Sequence, residues 1–215
     1  MKEILIIGLG KFGRYTAKKF HELGNNIMVL DTNEDKINEI LPYVTNAQIG
    51  DSTQPAVLES LGLNNFDICI VCISDNFQVS LETTSLLKEA GAKYVIARAK
   101  TEIQAKFLRR NGADEVVFAE KQIAERIAIK YGSNNIFDCI QLNNEYSIYE
   151  IQPHKAWIGK TILEANVRQK YNLNILGIKT GTDLNLSPSV DHVFTAHERL
   201  MVICRNEDIE ELKNK

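Results

Sequence analysis

The sequence has no apolar run approaching the ~20 residues a membrane helix requires, so no part of it is expected to cross a bilayer. It has no surplus of positive charge either: 25 Lys and Arg face 28 Asp and Glu, for a formal charge of −3. Without clustered cations there is no footprint for a phosphate backbone, and nucleic acid is excluded as a partner. Cysteine is scarce, with Cys69, Cys72, Cys139 and Cys204 spread along the chain, and in a reducing compartment these are expected as thiols. His21, His154, His192 and His197 show neither a helical H-x-x-x-H nor cysteine neighbours at zinc spacing, which argues against a zinc site. Met1 leads straight into the strand-like EILIIG, too short for a secretory signal and lacking its cleavage site. A cytosolic protein is expected. No internal repeat or low-complexity linker is found.

What is present is ordinary globular material, 44% hydrophobic and 25% charged. Short β-branched runs (EILIIG, NIMVLD, AQIG, DICIVCI, YVIARA, EVVFA) alternate with helical stretches near 15–23, 34–41, 56–61, 79–89 and 103–110. Parallel strands need crossover connections, so this alternation predicts an α/β fold, a doubly wound parallel Rossmann-like sheet covered on both faces. One more helix, AEKQIAERIAIKYG, follows. The chain then changes character: SIYEIQ, LNILGIKT and RLMVICR read as strands of a small α+β C-terminal domain. The boundary is expected near Asn134, giving domains 1–134 and 135–215.

Between the first strand and the first helix stands IIGLGKFG, with Gly8, Gly10 and Gly13 in the G-x-G-x-x-G spacing. That context lets backbone approach a pyrophosphate at a helix N-terminus, where unpaired N–H groups and a partial positive charge meet it. Asp31 ends the second strand eighteen residues after Gly13, placed to bond a ribose 2′-hydroxyl and to repel a 2′-phosphate. NAD, ATP or ADP is therefore favoured over NADP. Two readings stand for Lys11, a solvated surface residue or a cation reaching a terminal phosphate. Asp51, in IGDST, either caps the next helix or faces the same crevice, and the two roles are compatible.

Catalysis has less support. Tyr15 and Lys19 spell Y-x-x-x-K, but on the first helix, too early to face a nicotinamide. Cys69 and Cys72 spell C-x-x-C inside a strand, where residues three apart point to opposite faces and pack as core. An NAD-dependent oxidoreductase, with an acid or base near Ser74 and Asp75, is the rival reading.

Taken together, IIGLGKFG, VLDTNEDKI, the GDST loop, YVIARA, LRRNGADEVVFAEKQIAERIA and the tail from WIGKTILEANVRQKYN to RLMVIC resemble the RCK family, the regulators of conductance of potassium. The likeness is greatest to the regulatory subunits of Ktr and Trk potassium-uptake systems. It implies a nucleotide site of Gly8, Gly10, Lys11, Phe12, Gly13, Asp31, Thr32, Gly50, Asp51, Ser52, Thr53, Ser74 and Arg98 for ATP or ADP, alternatively NAD or NADH. It also implies Glu120 at a subunit interface near the phosphates, where a divalent cation (Mg or Ca) is favoured. Ala119 stands where the family has proline.

The same resemblance implies that the helix 121–131 crosses to a partner and builds a homodimer; Ile123, Ile127 and Ile129 could equally pack within one chain. Dimers would assemble into an octameric ring on the cytoplasmic face of a membrane-embedded potassium transporter. In the C-terminal domain it implies a cyclic di-AMP site, with Arg168 and Asn174 as polar contacts and Ile162, Leu163, Val167, Ile175 and Pro188 as the apolar wall. A surface arginine beside an ordinary small core is the alternative. No bond would be broken: the protein would be a regulator whose ligands bind two states unequally.

Overall fold

The computed structural model describes residues 1–132, 135–143 and 145–213. They divide into two compact units, Met1–Glu120 and Lys121–Lys215. The boundary expected at Asn134 lies outside the described residues.

In the first unit, strands β1 (Glu3–Ile7), β2 (Asn26–Asp31), β3 (Asn46–Ile49), β4 (Ile68–Val71), β5 (Val95–Arg98) and β6 (Glu115–Val117) form one sheet in the order β3-β2-β1-β4-β5-β6. Every pairing in it is parallel. The crossovers are helices α1 (Lys11–Glu22), α2 (Glu34–Ile40), α3 (Pro55–Ser60), α4 (Phe77–Glu89) and α5 (Glu102–Arg110). A strand covered on both faces is apolar at successive positions. On β1, Leu5 and Ile7 enter one core layer while Ile4 and Ile6 enter the other. Cys69 and Cys72 divide in the same way.

Strand order reverses between β2-β1 and β4-β5. Such a reversal opens a crevice beyond the strands' carboxyl ends, because the chain leaves β1 and β4 in opposite directions. Helices α2, α4 and α5 open on Asn33, Asn76 and Thr101, whose side chains accept from the N–H three residues on. Helix α1 opens on Gly10, which has no side chain to do this. Its first turn takes in residues of the glycine loop, so it begins at Lys11 rather than at the Tyr15 expected from apolar spacing.

The second unit receives helix α6 (Ala119–Gly132), which starts at the division between the units. Strands β7 (Ile136–Gln141), β8 (Tyr146–Ile151), β9 (Asn174–Thr180), β10 (Asp183–Asn185) and β11 (Glu198–Arg205) form an antiparallel sheet in the order β10-β9-β11-β8-β7. Helices α7 (Ile162–Ala165) and α8 (Val167–Tyr171) precede β9, and α9 (Asn206–Lys213) follows β11. A capping box between Thr161 and Glu164 starts α7. Leu173, Leu200, Val202, Trp157 and Phe194 fill the core.

Candidate functional site

The crevice at the carboxyl ends of β1 and β4 is a cavity of about 200 Å³. Of the residues expected there from sequence, Gly8, Gly10, Asp31, Thr32, Gly50, Asp51, Ser52 and Ser74 line it.

Two of the three glycines are fixed by contacts that leave no room for a side chain. Gly8 has φ +93°, and a Cβ on it would stand 2.9 Å from Ile73 Cγ1. A Cβ on Gly13 would stand 2.1 Å from the Gly8 carbonyl oxygen, so helix and strand touch backbone to backbone. Gly10 is different, because a Cβ there would meet nothing within 4 Å. Its surroundings are open, and the amides that begin α1 have no side-chain cap. This arrangement suits an anion.

Asp31 forms the opposite lip. Its Oδ2 accepts the Leu9 N–H at 2.5 Å and its Oδ1 accepts the Asn33 N–H at 2.9 Å. Lys36 Nζ lies 4.0 Å from Oδ2, and the Asp31 side chain is only 9% exposed. Each carboxylate oxygen can accept more than one hydrogen bond, so capacity for a hydroxyl remains. Asp51 does not cap α3, whose N-cap is Gln54. It instead accepts the Thr53 N–H at 2.9 Å and the Thr53 hydroxyl at 2.8 Å. These two bonds, the backbone one first, hold its carboxyl below the usual range. Ser52 is buried with its hydroxyl 2.7 Å from that of Thr83, which ties this side chain to α4.

Other expected residues stand apart from the cavity. Lys11 is exposed and lines a groove on the outer side of α1 with Arg14, Tyr15, Lys18, Glu39 and Ile40. Phe12 is half-buried and lies under the Arg98 guanidinium, 5.1 Å from ring centroid to Cζ, a cation–π distance. Arg98 donates to Ser74 Oγ at 3.3 Å and also bonds the Glu120 carboxylate. Burial alone would raise the Glu120 carboxyl; its own backbone N–H at the helix start and then Arg98 bring it below the usual range. The carboxylate offered to a divalent cation is thus already engaged. Among the described residues no three His, Cys, Asp or Glu side chains converge. The described residues of one chain therefore do not by themselves make a metal centre.

Sequence reasoning missed Lys36, Ile73, Asn76 and Val79, which also line the cavity. Asn76 was detectable, since an Asn directly before an apolar-periodic stretch marks a helix start. Lys36 had no signal of its own. Three of the four cysteine thiols, those of Cys69, Cys72 and Cys204, are pushed up to about 12 by burial. Burial thus disfavours the thiolate form at these three.

In the second unit, Arg168 and Asn174 line one cleft of about 530 Å³ with Tyr146, Asn172, Arg205 and Asp208. None of the five apolar residues expected beside them lines this cleft. Val167 is 2% exposed and part of the core, Ile162 and Ile175 pack against that core, and Pro188 is half-buried. Leu163 is 68% exposed.

A TrkA-N domain profile matches residues 4–119 and a TrkA-C domain profile matches residues 146–215. Over 214 residues, 100% of this chain and 97% of the relative, the sequence is 39% identical to Ktr system potassium uptake protein C of Bacillus subtilis (strain 168). It is 35% identical to Ktr system potassium uptake protein A of the same organism, covering 100% of this chain and 96% of that one. Among solved structures, the GsuK RCK domain aligns with a TM-score of 0.65 at 21% identity, covering 99% of this chain and 47% of that chain. The GsuK channel bound to NAD aligns with a TM-score of 0.69 at 20% identity, covering 96% and 38%. Both structural likenesses bear on the fold alone. With both profiles matched in order and full-length relatives well above 30% identity, the chain belongs to the RCK family, a TrkA-N domain followed by a TrkA-C domain.

Proposed function

We propose that this protein is a non-enzymatic regulatory subunit of a membrane-embedded potassium-uptake transporter, acting from the cytoplasmic side under the control of an adenine nucleotide. The observation that carries this reading is the crevice itself. Uncapped amides at the start of α1 suit an anion, and Asp31 on the opposite lip suits a ribose hydroxyl. Full-length identity to Ktr system potassium uptake proteins supplies the physiological setting.

ATP and ADP differ by one charged phosphate. A ligand shifts a two-state equilibrium only through unequal affinity for the states, so that phosphate must be felt in one state more than in the other. Arg98 is suited to this, because it joins Ser74 of the crevice to Glu120 at the start of α6. In this reading α6 pairs two chains through Ile123 and Ile127, both more than half exposed, and dimers close into an octameric ring that works on the transporter. Cyclic di-AMP is proposed as a second ligand, with Arg168 and Asn174 on its phosphodiester; their shared cleft supports this.

Titration calorimetry of the whole protein with ATP, ADP, NADH and cyclic di-AMP is the test. Saturable ATP and ADP binding is expected, with radiolabelled ATP recovered unhydrolysed. Tighter binding of NADH than of either adenine nucleotide would make the dinucleotide the controlling ligand, since Asp31 serves an adenosine ribose equally well in both. Rapid ATP turnover would refute the non-enzymatic claim.

A further inference from the structure

The groove on the outer side of α1 has a volume of about 400 Å³ and shares no lining residue with the crevice. Lys11, Tyr15 and Lys18 stand at i, i+4 and i+7 of one helix, so they fall on one face. With a rise of ~1.5 Å per residue, the two lysines are roughly 10 Å apart along the axis. The opposite face of α1 buries Gly13 and Ala17.

Charge in this groove is not balanced. Arg14 is engaged by Glu39 of α2 at 2.7 Å, which ties the two walls together. Lys18 Nζ lies 4.5 Å from the centroid of the Tyr43 ring, an aromatic support that leaves its charge without a counter-ion. Among the described residues neither Lys11 nor Lys18 is in an ion pair. Between them Tyr15 is 75% exposed, a large aromatic surface left in water.

These features select among anionic partners. A simple phosphate makes no use of an aromatic ring standing between two charges. An anionic bilayer is drawn by clusters of about 4–8 Lys or Arg, whereas α2, the other wall, sets Glu34, Asp35 and Glu39 against Lys36 alone. A second helix lying along α1 meets the pattern at every point. Carboxylates seven residues apart on a helix repeat the ~10 Å spacing of the lysines on one face, and tyrosine supplies much contact area at little cost in side-chain entropy.

We propose that this groove docks an acidic helix of a partner protein. Two carboxylates, two turns apart, would meet Lys11 and Lys18, and an apolar residue between them would cover Tyr15. The surface is independent of the nucleotide reading, because it uses no residue that lines the crevice.

The test is fluorescence anisotropy with whole protein and a labelled Ala-rich peptide of about 15 residues, long enough to hold a helix. The peptide carries glutamates seven apart and leucines three and four places after the first. Saturable binding is expected at low salt, weakening as salt is added. Changing both glutamates to glutamine is expected to cost about tenfold in affinity. Tyr15→Ala should weaken the glutamate peptide about fivefold while leaving its salt dependence unchanged. Lys18→Glu should weaken it about fivefold as well. A mixed peptide, with one glutamate and one lysine, is expected to bind Lys18→Glu more tightly than it binds the parent, a reversal that misfolding cannot produce. Equal affinity for the glutamate and glutamine peptides, unchanged affinity in Lys18→Glu, or no saturable binding at about 1 mM, the level of a weak contact, would overturn the proposal. Capture by phosphatidylserine vesicles that is lost in Lys18→Glu would overturn it in favour of a membrane contact. Displacement of the peptide by phosphate beyond that by chloride at equal ionic strength would overturn it in favour of a small-anion site.

Discussion

The Arg98 guanidinium bonds the Glu120 carboxylate at the first turn of α6 while a second nitrogen of the same group donates to Ser74 Oγ at 3.3 Å. Ser74 lines the crevice, and Glu120 is the last residue of the first compact unit. One side chain therefore touches both the candidate ligand cavity and the end of the unit.

Glu120→Gln removes the charge from this pair. Because the Glu120 side chain is 54% exposed, thermal denaturation should move by less than about 1 kcal/mol. The ratio of ATP to ADP affinity is expected to change, which calorimetry on the same variant measures. An unchanged ratio would take Glu120 out of the proposed mechanism.

Asp31→Ala strips the Leu9 and Asn33 amides of their acceptor. The expected cost is about 1–3 kcal/mol of stability, read as a lower denaturation midpoint. Nucleotide affinity should fall at least tenfold. Asp31→Asn keeps an acceptor oxygen and is expected to fall between the variant and the parent on both measurements.

The glycines separate folding from binding. Gly13→Ala places a methyl group against the Gly8 carbonyl and should destabilise the first unit by about 2–3 kcal/mol. Gly10→Ala meets no atom within 4 Å and should leave the melting temperature nearly unchanged while reducing nucleotide affinity. A Gly10→Ala protein that binds normally would move the phosphates away from the start of α1.

Asp138 provides a pH signature in the second unit. Its carboxyl is lowered from 3.8 to about 2, chiefly by hydrogen bonds from Arg126 at 2.7 and 2.9 Å. A depressed carboxyl contributes stability fully above its unfolded value and loses it as pH falls through the folded one. The contribution should therefore drain between about pH 4 and pH 2. Asp138→Asn is expected to flatten the loss of melting temperature over that interval, with little change in the slope above pH 5.

Much of the first unit was legible because a strand buried on both faces is apolar without interruption. EILIIG, NIMVLD and ICIV could hardly be read otherwise, and the parallel sheet followed from the helices between them. The second unit was harder. β7 carries Asp138 and a register shift, and β10 is exposed throughout, so neither shows the alternation that marks a half-buried strand. Helices α7 and α8 are four and five residues long, barely more than one turn, so no helical periodicity can develop. In the crevice, Gly8, Gly13 and Asp31 were legible from spacing alone. The place of Lys11 on a groove outside the crevice and the inward turn of the Ser52 hydroxyl were not; the second depends on Thr83, from a distant part of the chain.

Gly10 leaves the opening amides of α1 without a side-chain partner. A preparation made in phosphate or sulfate buffer would offer those groups an inorganic substitute, and nucleotide titrations there would report displacement instead of plain association. Apparent weakness in such buffers would then measure the competitor's concentration, so the choice of counter-ion during purification becomes part of any affinity assigned to this protein.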